Sequence, residues 1–124
     1  MDLRIIALVA SGGALGAVLR YVLPSLIPGQ NNIFSTLGIN LVGSLMLGLL
    51  LGLLAAGIEI SDELILLIGT GFLGAFTTMS TFAFEAMETT QENYISGLSY
   101  ILITVLGSIS LAWLGYSAMI QIAS

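Results

Sequence analysis

The chain has 124 residues, 57% of them hydrophobic and only 7% charged, with a formal net charge of −5 at pH 7. A soluble domain carries about 25% charged residues, so this composition excludes a chain that covers its own surface with polar groups in water, and it makes lipid the sensible solvent. Cysteine and histidine are both absent, which removes disulfides, thiol nucleophiles, imidazole bases and the commonest metal ligands.

A spanning helix needs roughly 20 apolar residues to cross a hydrocarbon core of about 30 Å. Four stretches meet that length, at about Leu3–Leu23, Phe34–Gly57, Leu64–Met87 and Ile95–Ile122. Turns are expected at Pro24–Asn32, Gly57–Asp62 and Glu88–Asn93. Connections this short make successive helices antiparallel, and residues 1–124 are expected to form a single transmembrane domain. Asp2 and Asp62 fall at helix ends, and no GxSxG or HExxH motif occurs. The inventory therefore points away from an enzyme.

In the first span Arg4 precedes an apolar run, as in a signal peptide, but that run is long, contains Arg20 and is followed by three further spans. It is expected to stay as a helix. Gly12, Gly13 and Gly16 suit a packing surface. Arg20 near its far end either snorkels to the headgroups or forms an electropositive vestibule that draws anions inwards.

On the second span Thr36, Asn40 and Ser44 recur every four residues and share one face, which Gly48 and Gly52 extend as a GxxxG stripe. The glycines read as packing positions. Asn40 does not, because a carboxamide at bilayer depth needs partners for its donors and its acceptor; a pathway role is expected for it.

The third span is the least ordinary. Gly69, Gly71 and Gly74 are followed by Thr77, Thr78, Ser80 and Thr81 in mid-span. Glycine and β-branched threonine weaken a helix, so a break is expected there, freeing backbone groups that must face protein or a cavity. The plainer alternative is an unbroken helix whose hydroxyls bond its own carbonyls. Glu85 lies near the end of the span, as an interfacial carboxylate or a vestibule residue. On the fourth span Ser96, Tyr100, Thr104 and Ser108 form one polar stripe, with Trp113 and Tyr116 further along as interfacial anchors.

The only basic residues, Arg4 and Arg20, stand at opposite ends of the first span. The positive-inside count is therefore tied. Either another feature sets a single orientation, or the chain inserts both ways and opposite copies pair as an antiparallel homodimer. A track of neutral donors without a mid-membrane carboxylate suits an anion that sheds water, and phenylalanine rings can add electropositive edges. The ion itself does not follow from these residues.

Three ordered motifs carry a resemblance. Gly12-Gly13-Ala14-Leu15-Gly16-Ala17-Val18-Leu19-Arg20-Tyr21 resembles the GxxGAxxRY signature of the Fluc (CrcB-type) fluoride channels. Thr36-Leu37-Gly38-Ile39-Asn40-Leu41-Val42-Gly43-Ser44 is similar to the family's TLxxNxxGS stretch, and the segment from Gly71 to Phe82 to its GxxGGxTTFSTF core. The resemblance implies an all-α membrane protein with a break in the third of four helices, assembled as an antiparallel dual-topology homodimer. It further implies two fluoride pores at the subunit interface and a structural sodium ion at the dimer centre. By position, the backbone carbonyls of Gly74 and Thr77 would hold sodium. Asn40, Met79, Ser80, Thr81, Phe82, Tyr100 and Thr104 would line the pore, with Arg20 and Glu85 at vestibules. Such a channel exports fluoride passively from the cytoplasm of a prokaryote. Met79 departs from the pattern, which has phenylalanine there, so a flexible thioether replaces an aromatic edge.

Two other readings compete. A small multidrug-type proton-coupled exporter needs a membrane-embedded carboxylate in its first helix, and none is present. A non-transporting assembly subunit would leave the polar stripes without purpose.

Two measurements bear on these expectations. Dual topology predicts that a label on Ser124 is accessible from both membrane faces; access from one face alone removes it. The replacement at Met79 predicts that Phe82 carries most of the aromatic contact, so Phe82→Ile should cut fluoride flux, and unchanged flux contradicts that role.

Overall fold

A computed structural model describes residues 1–27 and 32–123, excluding the side chain of Asn32. Pro28, Gly29, Gln30 and Asn31 of the first expected turn, and Ser124, lie outside the described residues. Among the described residues every regular element is helical.

Local chemistry sets the helix ends. Helix α1 (Leu3–Val22) is capped by Asp2, whose carboxylate accepts the Arg4 N–H at 2.9 Å. It runs into a 3-10 turn at Leu23–Leu26, where Pro24 fits a first-turn position that needs no N–H. Helix α2 (Asn32–Ala55) closes on Gly57, which alone among the described residues has a positive φ, of 85°. The Ile58 N–H reaches the Leu53 carbonyl and the Gly57 N–H the Leu54 carbonyl, the paired bonds of a Schellman cap.

The third span starts at α3 (Asp62–Ile65), capped by the Ser61 hydroxyl, with Asp62 and Glu63 complementing the positive helix end. It widens into π-type turns over Leu66–Leu73 and narrows again at α4 (Gly74–Phe76). Thr77 is then extended, with φ −78° and ψ 159°, and helix resumes as α5 (Ser80–Glu92). The expected turn at 88–93 shrinks to Asn93. Its N–H ends α5 on the Thr89 carbonyl at 2.8 Å, and its Oδ1 accepts the Ser96 N–H to begin α6 (Tyr94–Ala123). The polar run from Glu88 to Glu92 marks an exit from the apolar layer without ending the helix.

Four helical runs, Leu3–Leu26, Ile33–Ala55, Asp62–Glu92 and Tyr94–Ala123, are long and apolar enough to cross a membrane. The chain is a multi-pass membrane protein. Leu15, Tyr21, Ile95 and Trp113 stand exposed on the outside of the bundle, where apolar surface costs nothing against lipid.

Packing divides the third span between two partners. Its first half, through the π-type turns and α4, lies on α1; α5 lies on α6 and α2. Small residues allow the contacts. A β-carbon at Gly12 would run into the Leu67 carbonyl and one at Gly16 into the Phe72 carbonyl, while Gly71 would place one 2.7 Å from the Val9 carbonyl. Between α2 and α6, Gly48 meets the Ala112 carbonyl in the same way, and Gly115 approaches the Leu45 carbonyl. Arg4 pairs with Glu63, tying α1 to the start of the third span. Exposed as it is, that pair contributes about 1 kcal/mol or less.

The α1 contact predicts unequal effects of alanine. Gly16→Ala must force two backbones apart and should cost about 1–3 kcal/mol, whereas at Gly13 the nearest atoms would be 3.8 Å away and Gly13→Ala should be neutral or gain roughly 0.5 kcal/mol. Thermal unfolding in detergent measures both.

Candidate functional site

Asn40 is buried on α2, and its carboxamide bonds both main-chain polar groups of one residue of the third span, Thr78. Nδ2 donates to the Thr78 carbonyl at 2.9 Å, and Oδ1 accepts the Thr78 N–H at 2.9 Å. A carboxamide presents a donor and an acceptor side by side, so it can replace a missing stretch of helical ladder.

Two helical bonds are redirected as a result. In an unbroken helix the Thr78 N–H would bond the Gly74 carbonyl; here it goes to Asn40. The Thr81 N–H would bond the Thr77 carbonyl, and instead it donates to the Thr78 hydroxyl at 3.2 Å. Thr77 itself is anchored twice on the Leu73 carbonyl, through its N–H at 3.1 Å and its Oγ1 at 3.0 Å. The carbonyls of Gly74 and Thr77 are thereby left without their helical donors.

Two clefts flank this point, and Thr78 lines both. The first, of about 400 Å³, is walled by Asn40, Ser44, Gly74, Thr77, Met79, Phe82, Thr104 and Ser108 among others. The hydroxyl oxygens of Thr104 and Ser108 are buried and have no hydrogen-bond partner among the described residues. The second cleft, of about 380 Å³, brings Arg20, Tyr21, Thr36, Thr81 and Glu85 together.

Behind the second cleft the Glu85 carboxylate accepts from two hydroxyls. Thr36 donates to Oε1 at 3.0 Å and Tyr100 to Oε2 at 2.9 Å. The Tyr100 ring meets Phe82 edge to face, with centroids 5.2 Å apart, and Phe82, Tyr100 and Ala86 form a buried cluster. Phe82 is 5% exposed within the single chain and Met79 72%. The aromatic ring is thus held by its own chain, and the thioether projects from it.

A family model described as CrcB-like protein, Camphor Resistance (CrcB), matches residues 7–116. The chain belongs to the CrcB family. It is 42% identical to a protein of Pyrococcus furiosus over 118 residues, covering 94% of this chain and 96% of the relative. A Thermotoga maritima protein is 40% identical over 86% of this chain and 87% of its own length. One from Vibrio campbellii is 36% identical over 97% and 98%. All three relatives are named fluoride-specific ion channel FluC.

In this CrcB chain, Asn40, Gly74, Thr77, Met79, Phe82 and Thr104 share the first cleft, and Arg20, Thr81 and Glu85 share the second. Ser80 is exposed and lines neither, and Tyr100 sits behind the clefts, on Glu85. Thr78 stood in the sequence only as one of four mid-span hydroxyl residues; its part in the site lies in its main chain, which leaves no mark in side-chain patterning. Ser108 stood on the polar stripe of the fourth span, but its burial beside the first cleft follows only from packing. Thr36 shared the Asn40 face, and that spacing was the available signal for its place beside the third span.

Asn40→Leu keeps much of the volume but strands both polar groups of Thr78. Each should cost about 1–3 kcal/mol, read as a lowered unfolding midpoint in detergent.

Proposed function

We propose that this chain is a fluoride-selective passive channel of a prokaryotic cell membrane, working as an antiparallel dual-topology homodimer. Two pores would run along the subunit interface. Similarity over nearly the whole chain to relatives named as fluoride-specific ion channels carries this reading. The clefts add a physical basis for it. A small anion entering a membrane must exchange its water for fixed donors, and the first cleft offers unpartnered hydroxyls on Thr104 and Ser108. Phe82, steadied by Tyr100, would supply an aromatic edge. Met79 and Ser80, both exposed on their own chain, would contribute at an interface with a second copy. Arg20 in the second cleft would raise the local anion concentration, with Thr81 beside it and the Glu85 carboxylate held aside by its two hydroxyls. No bond is made or broken in transport.

A structural sodium ion at the dimer centre belongs to the same reading. The Gly74 and Thr77 carbonyls fit it, because their helical donors are redirected to Asn40 and to the Thr78 hydroxyl, and neutral main-chain oxygens suit a hard cation. Bound there, sodium would supply fixed positive charge and a cross-link between subunits. The chain's own contribution is to keep those carbonyls free of their helical donors.

Fluoride-loaded proteoliposomes test the proposal. The protein should release fluoride and retain chloride, both followed with ion-selective electrodes. Asn40→Asp should lower fluoride release by about 100-fold or more, since a carboxylate cannot donate to the Thr78 carbonyl and adds negative charge beside an anion path. Liposomes that keep their fluoride overturn the assignment.

A further inference from the structure

Gly43 lies three residues beyond Asn40 on α2, buried and lining the first cleft with Thr77. Glycine inside a helix is less favourable than alanine, and Gly43 has no positive φ to justify it. Close approach does. A β-carbon built at Gly43 would overlap the Thr77 γ-methyl and stand 3.5 Å from the Phe76 ring.

The γ-methyl of Thr77 has nowhere simple to go. Threonine is stiff about χ1, and its Oγ1 is committed to the Leu73 carbonyl at 3.0 Å. Turning the methyl aside would break that bond, so a side chain at position 43 would press on the Thr77 backbone instead. That backbone is the extended residue whose carbonyl has lost its helical donor. Asn40 therefore grips the interruption at Thr78 by hydrogen bonds, and Gly43 seats it at Thr77 by shape.

We infer that Gly43 is a positioning residue whose missing side chain seats the Thr77 γ-methyl and so aims the Thr77 carbonyl for cation binding. The inference rests on the sodium reading above. It distinguishes this glycine from those of the helix contacts, where a β-carbon meets another helix's backbone.

The test uses the full chain purified in detergent with N-methyl-D-glucamine as the only cation, then titrated with sodium chloride while the thermal midpoint is recorded. A ligand that binds only the folded state raises the midpoint with its concentration. The wild type should show such a rise. Gly43→Ala should need about tenfold more sodium or above for the same rise, and Gly43→Ala/Thr77→Ser, which removes the methyl but keeps the hydroxyl, should return to within about threefold of wild type. A packing role alone would lower the midpoint equally at every sodium concentration; that result, or failure of Thr77→Ser to restore the response, overturns the inference. If Gly43→Ala does not fold, a double variant that folds and titrates like Thr77→Ser supports the seat, and one that also fails to fold overturns it. A wild type indifferent to sodium overturns the sodium reading and this inference together, leaving fluoride release to its own test.

Discussion

The pairing of the Asn40 carboxamide with the main-chain N–H and carbonyl of Thr78 is the contact on which the rest of the structure depends. Within hydrocarbon an unsatisfied backbone group costs several kcal/mol, so a chain can leave the helical ladder only where something else takes over its bonds. Asn40 does this for both polar groups of Thr78. Because it does, Thr77 can be extended, α5 can start afresh at Ser80, and the carbonyls of Gly74 and Thr77 are left without their helical donors. The two clefts meet at the same residue.

The interruption also answers a packing problem. A straight third helix would follow one partner, yet this span lies on α1 in its first half and on α6 and α2 in its second. Gly12 and Gly16 bring α1 against the carbonyls of Leu67 and Phe72, within the wide turns. Backbone approach of this kind gives dispersion contacts that lipid cannot match. Gly71, one of the glycines that weaken the third span locally, comes against the Val9 carbonyl of α1 in return, so it also helps hold the wide turns in place through tertiary contact.

The polar stripe of α6 divides by hydrogen bonding once its surroundings are known. Tyr100, Thr104 and Ser108 share a helical face, but the Tyr100 phenol is occupied by Glu85 while the Thr104 and Ser108 hydroxyls have no partner among the described residues. Availability of a donor, more than its presence on a face, decides which residues can replace an ion's water. Glu85 gains a corresponding role: it holds Thr36 of α2 and Tyr100 of α6 together and, through Tyr100, sets the edge-to-face contact with Phe82.

Composition and periodicity by themselves determined the solvent, the four spans, the glycine contact faces and the peculiarity of residues 69–81, because each rests on hydropathy or on spacing along one helix. The ordered motifs pointed to the family to which the chain belongs. Tertiary structure alone decided that Thr78 is the residue gripped, that Glu85 joins two helices, that Ser80 lines neither cleft and that Gly43 lies under Thr77. The reason is physical. Hydropathy records what each residue prefers to face, whereas the partners of a main-chain group or a missing side chain are set by another helix, distant in sequence, whose register only packing fixes.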